Sequence, residues 1–236
     1  MVADASLIRA LQSLVCVQGH PDQLALRQTH HEPTTTESTP ITENSSDPVF
    51  ESAFSPHQLR CLALISHVNM KDAMAKFVET HKNVLSKFRL TGTESTMMML
   101  KDAYMGRRDV VFGPTCKHGI LGGYAELATL MCNGNLGGII FFKDPLASHP
   151  DLNDIECLIR QAQIYNVMIA VNPTSAIMLM SSIRESLMNG RSDMIPSFLF
   201  SLQSPAVKPY KEKQLKVLAH SKRKGKEYTR NNDKVQ

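Results

Sequence analysis

"LGGIIFFKDPL" (residues 136–146) carries four consecutive large apolar residues, Ile139, Ile140, Phe141 and Phe142, and then stops at Lys143, Asp144 and Pro145. A short apolar run bounded by turn residues reads as a strand buried on both faces. This one delivers a carboxylate to its carboxyl end. Similar runs lie on either side: "RCLALIS" (60–66), "KFRLTG" (87–92) and "DVVFG" (109–113) before it, "VMIAVN" (167–172) after it. Helical patterns fill the intervals at 71–86, 95–106, 122–134 and 152–166, and one more follows at 174–188. Gly106 and Gly134 stand where a left-handed residue closes a helix. Five strands alternating with helices predict an α/β fold, a doubly wound five-stranded parallel sheet covered on both faces.

Composition sets the boundaries of this unit. Residues 1–58 include "HHEPTTTESTPITENSSDP", a polar stretch too poor in apolar surface to offset its ordering entropy, and are read as a disordered segment. The folded domain is expected over 59–200. Residues 201–236 are read as a disordered basic tail: from Lys208 to Gln236 there are ten Lys or Arg against three Asp or Glu, a net +7. The rest of the chain therefore carries −3 of the overall +4. A Lys-rich run such as "SKRKGKE" with few aromatics is more often a solvated tail than a nucleic-acid surface, so no nucleic-acid partner is expected. The five cysteines, 16, 61, 116, 132 and 157, form no CxxC pair, which points to reduced thiols and no metal site. No apolar run reaches the roughly 18 residues that cross a bilayer. Residues 1–20 lack the apolar core of a signal peptide, and Arg9 is a single Arg where a mitochondrial presequence typically has several. The expectation is a cytoplasmic protein with no membrane partner.

In open parallel sheets ligands bind at the carboxyl ends of the strands. Five chain segments meet that condition. His67 follows the first strand, with Lys71 about one turn into the next helix. The second strand ends in "TGTES", where Thr91, Thr93 and Ser95 could join free helix N–H groups in holding an anion. A simple N-cap with a turn glycine is an equal reading of that segment, and Glu94 would repel an anion unless it points away. Gly113 closes the third strand. Asp144 closes the fourth and could serve as a base or orient one, although Asp-Pro also simply begins a turn. Asn172 closes the fifth.

Taken in order, "LALISHVNMK", "LTGTEST", "GP…GGYAEL", "IIFFKDPL" and "IAVNPTSA" resemble the motif series of the methylglyoxal synthase family, over about residues 60–185. A similar fold serves in the regulatory domain of carbamoyl phosphate synthetases and in an IMP cyclohydrolase, but "FFxDPL" favours the synthase branch. The resemblance implies conversion of dihydroxyacetone phosphate to methylglyoxal and phosphate by a carbon–oxygen lyase, with no cofactor and no metal. It implies a small phosphorylated metabolite as partner, a homo-oligomer (a hexamer), phosphate held by Lys71, Thr91 and Thr93 with Ser95 and Gly113 nearby, and His67 and Asp144 at the reacting end.

Five departures bear on activity. Tyr124 falls where the family keeps its catalytic Asp, and a phenol with a reference pKa of about 10 is a poor base. Glu94 replaces a Thr, and Val68 replaces an Asp. Asp151 falls where the family has a His, with His149 two residues earlier. Thr115 to Leu121 form an extra loop that brings Lys117 and His118 near the missing base. Proton abstraction would then fall to Asp144, Asp151 or Glu126. Otherwise the chain is a catalytically impaired phosphometabolite-binding module, in which Tyr124→Asp should raise turnover.

Overall fold

The computed structural model describes residues 47–148 and 150–232, and of 223–232 the backbone alone. The five predicted strands are present: β1 (Cys61–Ser66), β2 (Arg89–Thr93), β3 (Val111–Cys116), β4 (Leu136–Phe142) and β5 (Met168–Ala170). All neighbours pair in parallel, in the order β3-β2-β1-β4-β5. The connections run outward from β1 to β3, return to the centre at β4, and run outward again to β5. The switch point lies between β1 and β4, the place where such sheets open a crevice.

Successive side chains of a strand point to opposite faces, and both faces here are dry. Leu62, Leu64, Ile140 and Phe142 face one apolar cluster. Its covering helices are α1 (Lys71–Thr80), α2 (Lys82–Leu85), α3 (Glu94–Ala103) and α6 (Pro173–Asn189). Ala63, Ile65, Ile139 and Phe141 face the other cluster, under α4 (Gly123–Cys132) and α5 (Leu152–Ile164). The short helix α7 (Pro196–Leu199) presses Phe198 onto the start of β4. A Cβ at Gly137 or Gly138 would come within 2.6 or 2.5 Å of that ring, so only glycine fits there.

Three expectations change. The third strand does not end at Gly113 but runs on to Cys116, with Thr115 and Cys116 paired to Gly92 and Thr93. Gly-Pro reads as a turn in sequence. β3 is an edge strand, however, where the missing N–H of Pro114 is tolerated, and a register shift between Leu90 and Gly92 takes up the irregularity.

The ordered part begins before residue 59. Asp47 is buried, with its carboxylate 2.7 Å from the Arg184 guanidinium and accepting from the Val84 N–H at 3.2 Å. Phe50 and Phe54 pack against the main cluster. Residues 1–46, including Cys16, lie outside the described residues.

The basic tail contains a helix, α8 (Val207–Asn232). Its Lys, Glu, Gln, Leu and Ala are good helix formers, and Pro209 sits in the first turn, where it is tolerated. Charge alone did not reveal this. Tyr210, Leu215, Val217 and Leu218 on that helix are exposed. Among the described residues no helix is long and apolar enough to cross a membrane.

Candidate functional site

At the switch point β1 ends in Ser66 and β4 in Phe142, and the residues that follow them meet. The backbone N–H of Asp144 donates to Nδ1 of His67 at 2.8 Å. A ring nitrogen that accepts carries no proton, so the neutral imidazole bears its hydrogen on Nε2. The ring is steadied edge-on by Phe141, with centroids 5.0 Å apart. Both carboxylate oxygens of Asp144 accept bonds: Oδ2 from the Asn69 amide at 2.7 Å, and Oδ1 from the Leu146 N–H at 2.9 Å. The carboxylate is buried and fixed in direction.

His67 and Asp144 line a cleft of about 320 Å³. Lys71, Thr93 and Ser95 line the same cleft. Helix α3 starts directly after Thr93, which is extended and does not cap the helix with its side chain. The Lys71 ammonium donates to Ser95 Oγ at 3.0 Å and to Thr96 Oγ1 at 2.8 Å, and Thr93 Oγ1 lies 3.5 Å from Thr96 Oγ1. Burial pushes Lys71 below the ordinary lysine range. An ammonium and three hydroxyls are gathered at a helix N-terminus, a combination chemically able to hold an anion. Glu94 is exposed and is not among the lining residues.

The remaining wall comes from the loop after β3 and the start of α5. His118, Gly119, Tyr124 and Asp151 line it. The Tyr124 ring is buried and packs on Phe141, with centroids 5.8 Å apart. Burial raises its phenol above the ordinary tyrosine range. The neighbouring Asp151 carboxylate raises it further. Glu126 is held elsewhere: it accepts from the Lys117 N–H at 2.8 Å and pairs with the Lys117 ammonium at 3.8 Å. Neither Glu126 nor Lys117 lines the cleft.

Of the residues singled out in the sequence, the cleft thus gathers His67, Lys71, Thr93, Ser95, Asp144 and Asp151. Thr91 and Gly113 are not among its lining. Thr91 is fully buried and donates to the Pro114 carbonyl at 2.5 Å, tying β2 to the irregular edge strand. Gly113 lies within β3 beside Cys61 and Thr91. Both sit below the sheet edge because their strands run past them. Asn172 caps α6, accepting from the Ser175 N–H at 2.9 Å, and lines a neighbouring cleft of about 850 Å³ that shares Asp144. His149 lies outside the described residues. Asn69 and Thr96 were missed, although each is only a residue or two from a recognised motif residue. A short polar side chain in a loop or a first helical turn signals nothing until its partner is placed.

No family model matches the chain. It is 35% identical to the methylglyoxal synthase of Agrobacterium fabrum over 117 residues, 50% of this chain and 89% of that protein. It is also 35% identical to the methylglyoxal synthase of Rhizobium etli over 124 residues, 52% of this chain and 95% of that protein. The uncharacterized protein sll0036 of Synechocystis sp. is 36% identical over 115 residues, and the match spans only 25% of its length. A solved methylglyoxal synthase from Elizabethkingia anophelis superposes with a TM-score of 0.46 at 25% identity, over 52% of this chain and 78% of that one. About a third of the aligned positions are identical across nearly the whole of two methylglyoxal synthases, and the shared stretch makes up half of this sequence: the chain belongs to the methylglyoxal synthase family.

Proposed function

We propose that the cleft converts dihydroxyacetone phosphate to methylglyoxal and inorganic phosphate. The observation that carries this reading is the meeting of an anion cradle, a neutral imidazole and two carboxylates in one small cleft. The substrate phosphate would lie on Lys71, Thr93, Ser95 and the amino end of α3. Nε2–H of His67 would donate to the carbonyl oxygen as charge develops on it. A carboxylate takes a proton from C3, the electron pair forms the C2–C3 double bond, and the enediolate then expels phosphate from C1. The resulting enol tautomerises to methylglyoxal. Atoms balance with no co-reactant. By the same family likeness, a cytoplasmic homo-hexamer that needs no cofactor is the expected working form.

A second reading has one observation in its favour. Tyr124 occupies the cleft where a carboxylate would be expected to take the proton. In that reading the chain holds a phosphorylated metabolite without turning it over. Purified protein supplied with dihydroxyacetone phosphate decides between them. Release of methylglyoxal and phosphate in equal amounts supports the lyase. Phosphate affinity without release of either product supports the binding module.

A further inference from the structure

The two carboxylates of the cleft are not equivalent. Asp144 is clamped through both oxygens, by the Asn69 amide and the Leu146 N–H, and its backbone N–H holds His67. Such a group orients its neighbours, and each donated bond makes it a weaker proton acceptor. Asp151 lines the same cleft from the start of α5 and is met by the Tyr124 phenol. The loop before α4 is fitted to that phenol. A Cβ at Gly119 would come within 2.6 to 2.7 Å of the ring's Cζ, Cε2 and hydroxyl oxygen. No side chain larger than hydrogen leaves the phenol where it stands.

We propose that Asp151 is the base that removes the C3 proton, that the Tyr124 hydroxyl is the positioning group that aims it, and that Asp144 is a positioning residue for His67. The inference rests on the elimination reading above. The proton passes from C3 to the Asp151 carboxylate, and the electron pair left behind enters the enediolate whose oxygen faces His67. Tyr124 donates throughout and loses no proton. The glycine at 119 and the tyrosine at 124 form one device, which replaces a carboxylate on α4 by a carboxylate on α5 held from α4.

The experiment uses the full chain and two readouts on dihydroxyacetone phosphate. The first is exchange of its C3 hydrogen with deuterated water by NMR, and the second is release of methylglyoxal and phosphate. Asp151→Asn should lower both by about 10²- to 10⁴-fold, the usual contribution of a positioned base, while inorganic phosphate binds as before. Tyr124→Phe keeps the ring and removes the hydroxyl. It should lower kcat about tenfold and leave KM unchanged, because the base is still present but no longer aimed at C3. Gly119→Ala should act like Tyr124→Phe.

Turnover that survives Asp151→Asn overturns the base assignment and leaves the reaction standing. A kcat unchanged in Tyr124→Phe overturns the positioning role. Exchange without product release keeps the base and overturns only the elimination. A native protein that does neither overturns both.

Discussion

The Asp144 backbone N–H reaches Nδ1 of His67 at 2.8 Å, across the gap between the two central strands. This bond fixes the tautomer of His67 and leaves the hydrogen on Nε2, the donor in the proposed reaction. A protonated imidazole could not accept it. The first prediction is therefore spectroscopic: ¹⁵N NMR of the native protein at neutral pH should show His67 with Nδ1 bare and Nε2 protonated. His67→Ala should lower methylglyoxal release by about 10²- to 10³-fold, the scale of losing one donor to a developing oxyanion. His67→Gln, which can present an amide near the Nε2 position, should recover part of that loss. Equal activity in all three proteins would remove His67 from the reaction.

Phosphate affinity should follow the protonation of Lys71. Its ammonium is held by Ser95 and Thr96, and burial lowers its pKa from the ordinary value. A lowered pKa means the cation is lost as pH rises through a value below that of a free lysine. Affinity for inorganic phosphate should therefore be full near neutral pH and fall on the alkaline side, before pH 10.5 is reached. Lys71→Ala should weaken binding at neutral pH by about 1 to 3 kcal/mol, as for a hydrogen bond to a charged group, and abolish the alkaline fall. Titration calorimetry across pH measures both. An affinity that declines identically in native and variant protein would place the titrating group elsewhere.

How much of this was legible depended on how local the signal was. Asp144 announced itself because a carboxylate ended an otherwise apolar run, and that run is β4. Lys71, Thr93 and Ser95 were legible because strand-to-helix turns place such groups at helix N-termini. Gly113 and Thr91 were misplaced for the converse reason. Gly-Pro is a turn signal in most contexts, and only its position on the edge strand lets β3 continue through it. Tyr124 on α4 and Asp151 just before α5 line one cleft, and that meeting has no sequence signature. Asp47 looked like part of a polar segment because its partner, Arg184, lies far along the chain on α6.

That last pair gives a stability prediction. The Asp47 carboxylate is buried, bonded to Arg184 at 2.7 Å and to the Val84 N–H at 3.2 Å, and the strand of chain it begins lays Phe50 under Arg184 and Lys87. Asp47→Asn keeps the size and removes the charge. It should cost about 2 kcal/mol, within the range for a hydrogen bond to a charged partner, read as a lower urea midpoint with unchanged slope. Phosphate affinity should not move, since none of these residues lines the cleft. A midpoint equal to that of the native protein would mean the residues before 59 add nothing to the fold.

Tyr124→Asp separates the relocated base from the lost base. The sequence alone suggested that a carboxylate at this position would raise turnover. With Asp151 as the proposed base, the opposite outcome is expected. The substitution removes the donor that aims Asp151, and it replaces a ring packed on Phe141 and fitted against Gly119 by a smaller polar group. Methylglyoxal release should therefore fall below the native rate. Adding Asp151→Asn to this variant removes the proposed base, and turnover in the double variant should fall further. The measurement is methylglyoxal release across pH by the native, single-variant and double-variant proteins. A tenfold rise above native in Tyr124→Asp alone would return the base to position 124 and make the native chain a binding module.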